Sequence, residues 1–108
     1  MSEGKKYDGG KAPLFQGCFG YFPKALAAVA EVSAYGCKKY DIDFEDKNWK
    51  RLEKALVRYL NANARHSVRP LEYDPESKLI HAAHAAWNSL ASLELILEEG
   101  ATLHEEEG

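Results

Sequence analysis

The chain is poor in cysteine, in long apolar runs and in net charge. Its 108 residues include two cysteines, Cys18 and Cys37, with no CxxC pair and no zinc-ribbon spacing. That excludes a disulfide scaffold or a thiolate zinc module and suits free thiols in a reducing compartment. No stretch stays apolar for the roughly 20 residues that a bilayer demands. The basic start runs into Tyr7-Asp8-Gly9-Gly10 rather than into a signal core. A soluble, cytoplasmic protein without a membrane partner is therefore expected. Lysine and arginine number 14 against 17 acids, a net charge of −3, too balanced for a binder of polymeric nucleic acid. No window alternates polar and apolar residues, so strands are not expected and an all-α domain is.

One domain is expected, with an irregular N-terminal arm over 1–21, a helical core over 22–99 and an acidic tail over 100–108. The arm has four glycines by Gly17 and no sustained period. Leu14, Phe15, Phe19 and Tyr21 predict that it finds cover. Gly10-Lys11 opens no phosphate loop, because Lys5 and Ala12 stand where glycine and serine or threonine belong. A basic arm that closes over a ligand through Lys11 and a solvated terminus fit equally well.

The spacing predicts a first helix over 22–35, started by Pro23 and stopped by Gly36. Leu26, Val29, Ala30 and Ser33 form its inner face. A second helix is predicted over 49–68, with Trp49, Leu52, Leu56, Leu60 and Ala64 inside. Arg58, Asn61 and Arg65 make one of its polar stripes, and Tyr59, Asn63 and His66 the next. A wet surface and specific hydrogen bonding both suit them. Arg69-Pro70 ends this helix. The third is predicted over 74–98, opened by Asp74 as N-cap and Pro75, with Leu90, Leu93 and Leu97 in the core.

Into that third, mostly apolar helix the sequence sets His81, His84 and Asn88. Offsets of three and four align them, with Ser77 a turn earlier. Polar atoms buried there need partners. Glu31 is the only acid between Asp8 and Asp41, among Ala28, Ala30, Val32 and Ala34. A carboxylate in such company is expected to be partly buried and in want of a cation. Glu31, His66, His81 and His84 thus form a candidate metal group, since two imidazoles at i and i+3 can face one ion. Hydrogen bonds between helices are the competing use of the histidines. Lys38, Lys39, Arg58 and Arg65 suit phosphates. Tyr40, Asn48, Trp49, Asn61, Asn63 and Asn88 suit a base. Together they point to a nucleotide with a divalent cation and to water attacking phosphorus. Glu31 or a nearby acid would position that water, and Lys39 would offset the developing charge. Nucleophilic catalysis is poorly supported, since no serine has an elbow motif and neither cysteine has a local histidine.

The ordered set Lys6-Tyr7-Asp8-Gly9-Gly10-Lys11-Ala12-Pro13, Glu31, Tyr35-Gly36-Cys37-Lys38-Lys39-Tyr40, Asn48-Trp49, Arg65-His66, Asp74-Pro75-Glu76-Ser77 and His81-Ala82-Ala83-His84-Ala85 resembles the small phage and bacterial dATP/dGTP diphosphohydrolases. These are related to the MazG-like all-α nucleoside triphosphate pyrophosphohydrolases. The resemblance implies a small helical bundle of that type and cleavage of a purine deoxynucleoside triphosphate to monophosphate and pyrophosphate. It also implies magnesium or manganese, a homodimer or homotetramer with shared sites, and remodelling of the deoxynucleotide pool, in the host cytoplasm if the chain is phage-encoded. The wider pattern of ExxE and ExxD is absent. Glu31 corresponds to the first helix, and His81 and His84 stand where the acids of ExxD would be. Such ligands favour manganese, iron, cobalt or zinc over magnesium. The same histidines are open to contact with base or phosphate, with Glu31, Asp74 and Glu76 nearer the metal. A histidine–aspartate phosphohydrolase would need an adjacent His-Asp pair, and none occurs. A non-catalytic nucleotide-binding or helical adaptor module is the alternative that the missing acidic motifs favour.

Overall fold

The computed structural model describes residues 9–99, without the side chain of Glu99. The Lys6-Tyr7-Asp8 portion of the arm and the acidic tail lie outside the described residues. Among the described residues three α-helices make an all-α domain: α1 over Pro23–Tyr40, α2 over Ala55–Ser67 and α3 over His81–Glu99. Among the described residues the one extended pairing is an isolated bridge between Tyr73 and Ile80. No described helix is long and apolar enough to cross a membrane.

Both α1 and α2 pack on α3. Ala55, Leu56 and Tyr59 of α2 meet Ala91 and Leu95 of α3, and Trp49 and Trp87 pack against them. Among the described residues no large side chain is completely buried, so this is a thin core. Three edge-on aromatic contacts extend it: Tyr59–Trp87 at 5.4 Å, Trp49–Trp87 at 5.8 Å and Trp49–Tyr59 at 6.1 Å between ring centres. Such pairs add about 0.5–1.5 kcal/mol each beyond their burial. Val32 is the buried residue of α1, and Trp87 Nε1 donates to Ser33 Oγ at 2.8 Å.

Several boundaries differ from the sequence expectation. Gly36 does not stop α1, which runs on to Tyr40. Its end comes at Asp41, in the left-handed region at φ 55°. There the N–H of Asp41 reaches Lys38 O and that of Ile42 reaches Cys37 O, the paired bonds of a Schellman end. The second helix starts at Ala55 rather than Trp49, because Lys54 sits at φ 56° and interrupts the helical path. Asn48–Lys50 is a 3-10 turn, tied down where Tyr59 Oη donates to Trp49 O at 2.6 Å. The third helix starts at His81, not Asp74. Its first N–H groups are satisfied by the preceding loop, His81 N–H to Glu72 O and Ala82 N–H to Pro70 O.

These shifts change the inner faces. Leu52, Leu60, Leu90, Leu93 and Leu97, expected in the core, are exposed, as are Leu14, Phe15, Phe19 and Tyr21 of the arm. Ala30 and Ala64 are exposed too. The arm contains a short π-helix over Phe15–Phe19 where none was expected.

Candidate functional site

A cavity of about 290 Å³ opens between the C-terminal half of α1, the turns that precede α2, and α3. Its walls are aromatic: Tyr35, Tyr40, Phe44, Trp49, Tyr59 and Trp87. Polar groups enter from three directions. Asn88, 6% exposed, and His84 come from α3, Asn48 and Asp43 from the turns, and Lys39 from α1. Asn88 Nδ2 donates to His84 O at 2.8 Å, which commits one amide N–H to its own helix. A flat apolar slot with a few convergent polar groups is the form of a small-molecule site.

Lys39 is held at the rim of this cavity. Its Nζ stands 3.0 Å from Glu76 Oε2 and lies 5.4 Å from the ring centre of Tyr40 and 5.9 Å from that of Tyr35. The hydrogen bond that Lys39 donates to Glu76 raises the Lys39 pKa, with further help from Tyr40. Lys39 in turn holds the Glu76 carboxyl below its ordinary value. The Tyr35 hydroxyl is shielded without a hydrogen-bond partner. Burial and then the nearby Glu76 carboxylate raise its pKa, yet their approach falls short of hydrogen-bond geometry. Burial pushes the Tyr59 hydroxyl up to about 12.

Beside the cavity the three histidines meet. His66 stacks on His84 with ring centres 4.6 Å apart, and its Nδ1 lies 2.7 Å from Nδ1 of His81. One of those two nitrogens must carry the proton that the other accepts. His84 Nε2 is 2.7 Å from Ser77 Oγ. Burial, followed by the neighbouring imidazoles, lowers the pKa of His66. Burial lowers that of His84 against the opposing pull of Asp74. Asp74 accepts the Ser77 N–H at 2.8 Å. Burial pushes its carboxyl up, but the Ser77 hydrogen bonds and the two nearby imidazoles outweigh that and hold it below 3.8.

The fold thus brings Lys39, Asn48, Trp49, Asn88 and His84 to one cavity and joins His66 and His81 to its edge. Glu31, expected to be partly buried, is exposed and stands outside the lining. It lies on the outer side of α1, where alanine neighbours mark a face with little to cover it. Lys11, Lys38, Arg58 and Arg65 are exposed and outside the lining as well. Arg58 Nε instead donates to Glu53 O at 2.8 Å. Among the described residues no three His, Cys, Asp or Glu side chains form a group that could hold a metal ion.

The sequence reading missed Tyr35, Asp43 and Trp87 as lining residues and the Glu76–Lys39 pair. Trp87 carried a signal, an indole beside the polar stripe of α3. The ion pair carried none, since its partners are far apart in the chain. A family model described as dATP/dGTP diphosphohydrolase, N-terminal, matches residues 1–104. No curated protein and no solved structure matches the chain.

Proposed function

The chain belongs to the dATP/dGTP diphosphohydrolase family, and from that membership we propose that it cleaves a purine deoxynucleoside triphosphate to the monophosphate and pyrophosphate. The observation that carries this reading is the aromatic cavity of about 290 Å³ with a positioned ammonium at its rim. The base lies against Trp49, Trp87 and Tyr40, with Asn48 and Asn88 hydrogen-bonding its edge. The triphosphate runs to Lys39, with Lys38 on the same helix end and Lys11, Arg58 and Arg65 as outer cations. A water oxygen bonds to the α-phosphorus, the bond from that phosphorus to the α–β bridging oxygen breaks, and pyrophosphate departs with that oxygen. The proton of the water passes to a carboxylate, Asp74 beside the histidines or, where subunits share a site, the Glu31 of a second copy, and Lys39 stabilises charge on the phosphoryl oxygens.

Magnesium or manganese is the cofactor that the family resemblance implies. The described donors do not fit a resident ion: Glu31 faces solvent, and His66, His81 and His84 are engaged with one another and with Ser77. A metal on those histidines would first have to break these contacts. Magnesium is commonly held by substrate phosphates with one or two carboxylates, so a divalent ion would come with the triphosphate, as part of the substrate. The outward leucines of α3 support a homodimer or homotetramer, acting in the cytoplasm on the deoxynucleotide pool.

The test is chromatography of products after incubation with each dNTP and rNTP, in magnesium and then in manganese. Monophosphate and pyrophosphate from dATP or dGTP are expected; released triphosphate would overturn the reaction assigned. Glu31→Gln that folds and loses turnover makes Glu31 the proton acceptor, whereas an active Glu31→Gln moves that role to Asp74. The second reading is a non-catalytic nucleotide-binding module. It is favoured by the absence of a metal-holding group among the described residues, and nucleotide bound but intact with both metals would establish it.

A further inference from the structure

We propose that the loop over 74–78 positions two of the cavity's polar groups, Glu76 holding Lys39 and Ser77 holding His84. The inference rests on the nucleotide reading above and assigns roles to two residues that never touch the nucleotide.

The loop is itself clamped. Asp74 Oδ2 takes the N–H of Ser77 at 2.8 Å, and Lys78 N–H returns to Asp74 O at 2.8 Å. Ser77 Oγ accepts the N–H of Leu79 at 3.2 Å. Lys78 adopts φ 68°, a left-handed conformation that turns the chain back sharply. The two side chains inside this clamp then point to different parts of the cavity. Ser77 Oγ lies 2.7 Å from Nε2 of His84, and Glu76 Oε2 lies 3.0 Å from Nζ of Lys39.

The bland alternative for Glu76 is an exposed ion pair of no consequence, since most such pairs contribute little to stability. Two observations set this one apart. Lys39 Nζ is also placed against the Tyr35 and Tyr40 rings, so the carboxylate selects one position of a long, flexible side chain. Lys39 and His84 line the same cavity, and the same short loop grips both. An ammonium held where phosphate charge develops is worth more than one that must be ordered during the reaction. Glu76 and Ser77 are therefore positioning residues.

The experiment measures kcat and KM for dGTP and dATP, and Kd from quenching of the two tryptophans, in a double-mutant cycle. Its members are the parent, Glu76→Gln, Lys39→Ala and the double variant, with Glu72→Gln as control. Glu72 is an acid close by in the chain, paired to Arg69 at 3.9 Å and outside the cavity lining. Glu76→Gln is expected to lower kcat/KM by about tenfold, with most of the loss in kcat. The melting temperature should be unchanged, Glu76→Asp should recover part of the loss, and Glu72→Gln should do nothing. In the Lys39→Ala background Glu76→Gln should cost nothing further, because it acts through a group no longer there. Ser77→Ala should lower kcat, and Ser77→Thr should restore it.

Glu76→Gln and Ser77→Ala within about twofold of the parent would overturn the proposal, and so would losses that add in the double variant. If the parent binds nucleotide without turning it over, the same cycle is read in Kd and decides in the same way. A parent that neither binds nor cleaves dATP or dGTP overturns the nucleotide reading itself, and the positioning roles fall with it.

Discussion

Two helices carry polar stripes at helical spacing, offset by three and four on α2 and by four on α3, and turn them opposite ways. On α2, Arg58, Asn61 and Arg65 face solvent. On α3, His84, Asn88 and Ser92 are buried at 8%, 6% and 5% exposure. Both spacings keep their residues on one helix face, so periodicity does not choose the direction. The supply of partners does. Ser92 Oγ donates to Asn88 O at 2.9 Å and Asn88 Nδ2 to His84 O at 2.8 Å. Each side chain thus bonds the carbonyl four residues back and brings its own partner into the core. A guanidinium has five N–H groups, and the one local carbonyl that Arg58 reaches, Glu53 O, satisfies a single one of them, so it stays outside.

The largest way to break that contrast is His84→Ala. It removes the stack on His66, empties volume beside Tyr35, whose ring meets His84 edge-on at 6.2 Å, and takes away the partner of the Ser77 hydroxyl. A loss of about 2–4 kcal/mol is expected, measured from the urea midpoint at constant slope. Asn88→Ala follows at about 1–2 kcal/mol. It should also weaken dGTP binding, since Asn88 lines the cavity. A stability loss without any change in affinity would remove Asn88 from base recognition.

The inward stripe was legible because α3 is apolar on nearly every side, so a few polar residues at offsets of three and four had to be buried and satisfied. The start of that helix was not. Asp74, Pro75 and Glu76 carry the signals of a helix N-terminus, and Asp74 does cap the turn through the Ser77 N–H. The chain then leaves the helical path at Lys78 and resumes at His81, a choice made by contacts with Glu72 and Pro70 that no local spacing reveals. Glu31 misled for a related reason. Alanine and valine neighbours raise the chance of burial, but which side of a helix is covered depends on what packs there. Leu90, Leu93 and Leu97 share that fate. Their spacing is that of a buried stripe, yet within one chain they face outward.

The same contrast gives a pH dependence. His66 and His84 have folded pKa values depressed first by burial, with His81 adding to the effect. For His66, Arg65 and His84 press the same way and Asp74 opposes; for His84, Asp74 and Glu76 oppose. The unfolded chain, with ordinary imidazoles near 6.5, therefore takes up protons first. Stability is complete above that value and is lost as pH falls through it toward the depressed folded values. Asp74, depressed below 3.8, continues the loss at lower pH. Unfolding in urea at pH 7.5, 6.5 and 5.5 should show a steadily falling midpoint, and His66→Gln should flatten the slope. A midpoint independent of pH across this range would mean that the imidazoles are not sequestered.

The smallest effect is expected on α2, and it sharpens the comparison most. Arg65→Ala removes a side chain that faces solvent, so stability should change by no more than about 0.5 kcal/mol. Any larger effect must come from a ligand. If Arg65 is an outer cation for the triphosphate, the variant should raise the Kd for dGTP at low salt, and the difference from the parent should shrink as salt screens the charge. An unchanged Kd at low salt makes the outer face of α2 a solvated surface and confines substrate charge to Lys39 and its neighbours on α1. The same substitution thus reports little on folding and directly on where the phosphates lie, unlike Asn88→Ala, which is expected to register in both.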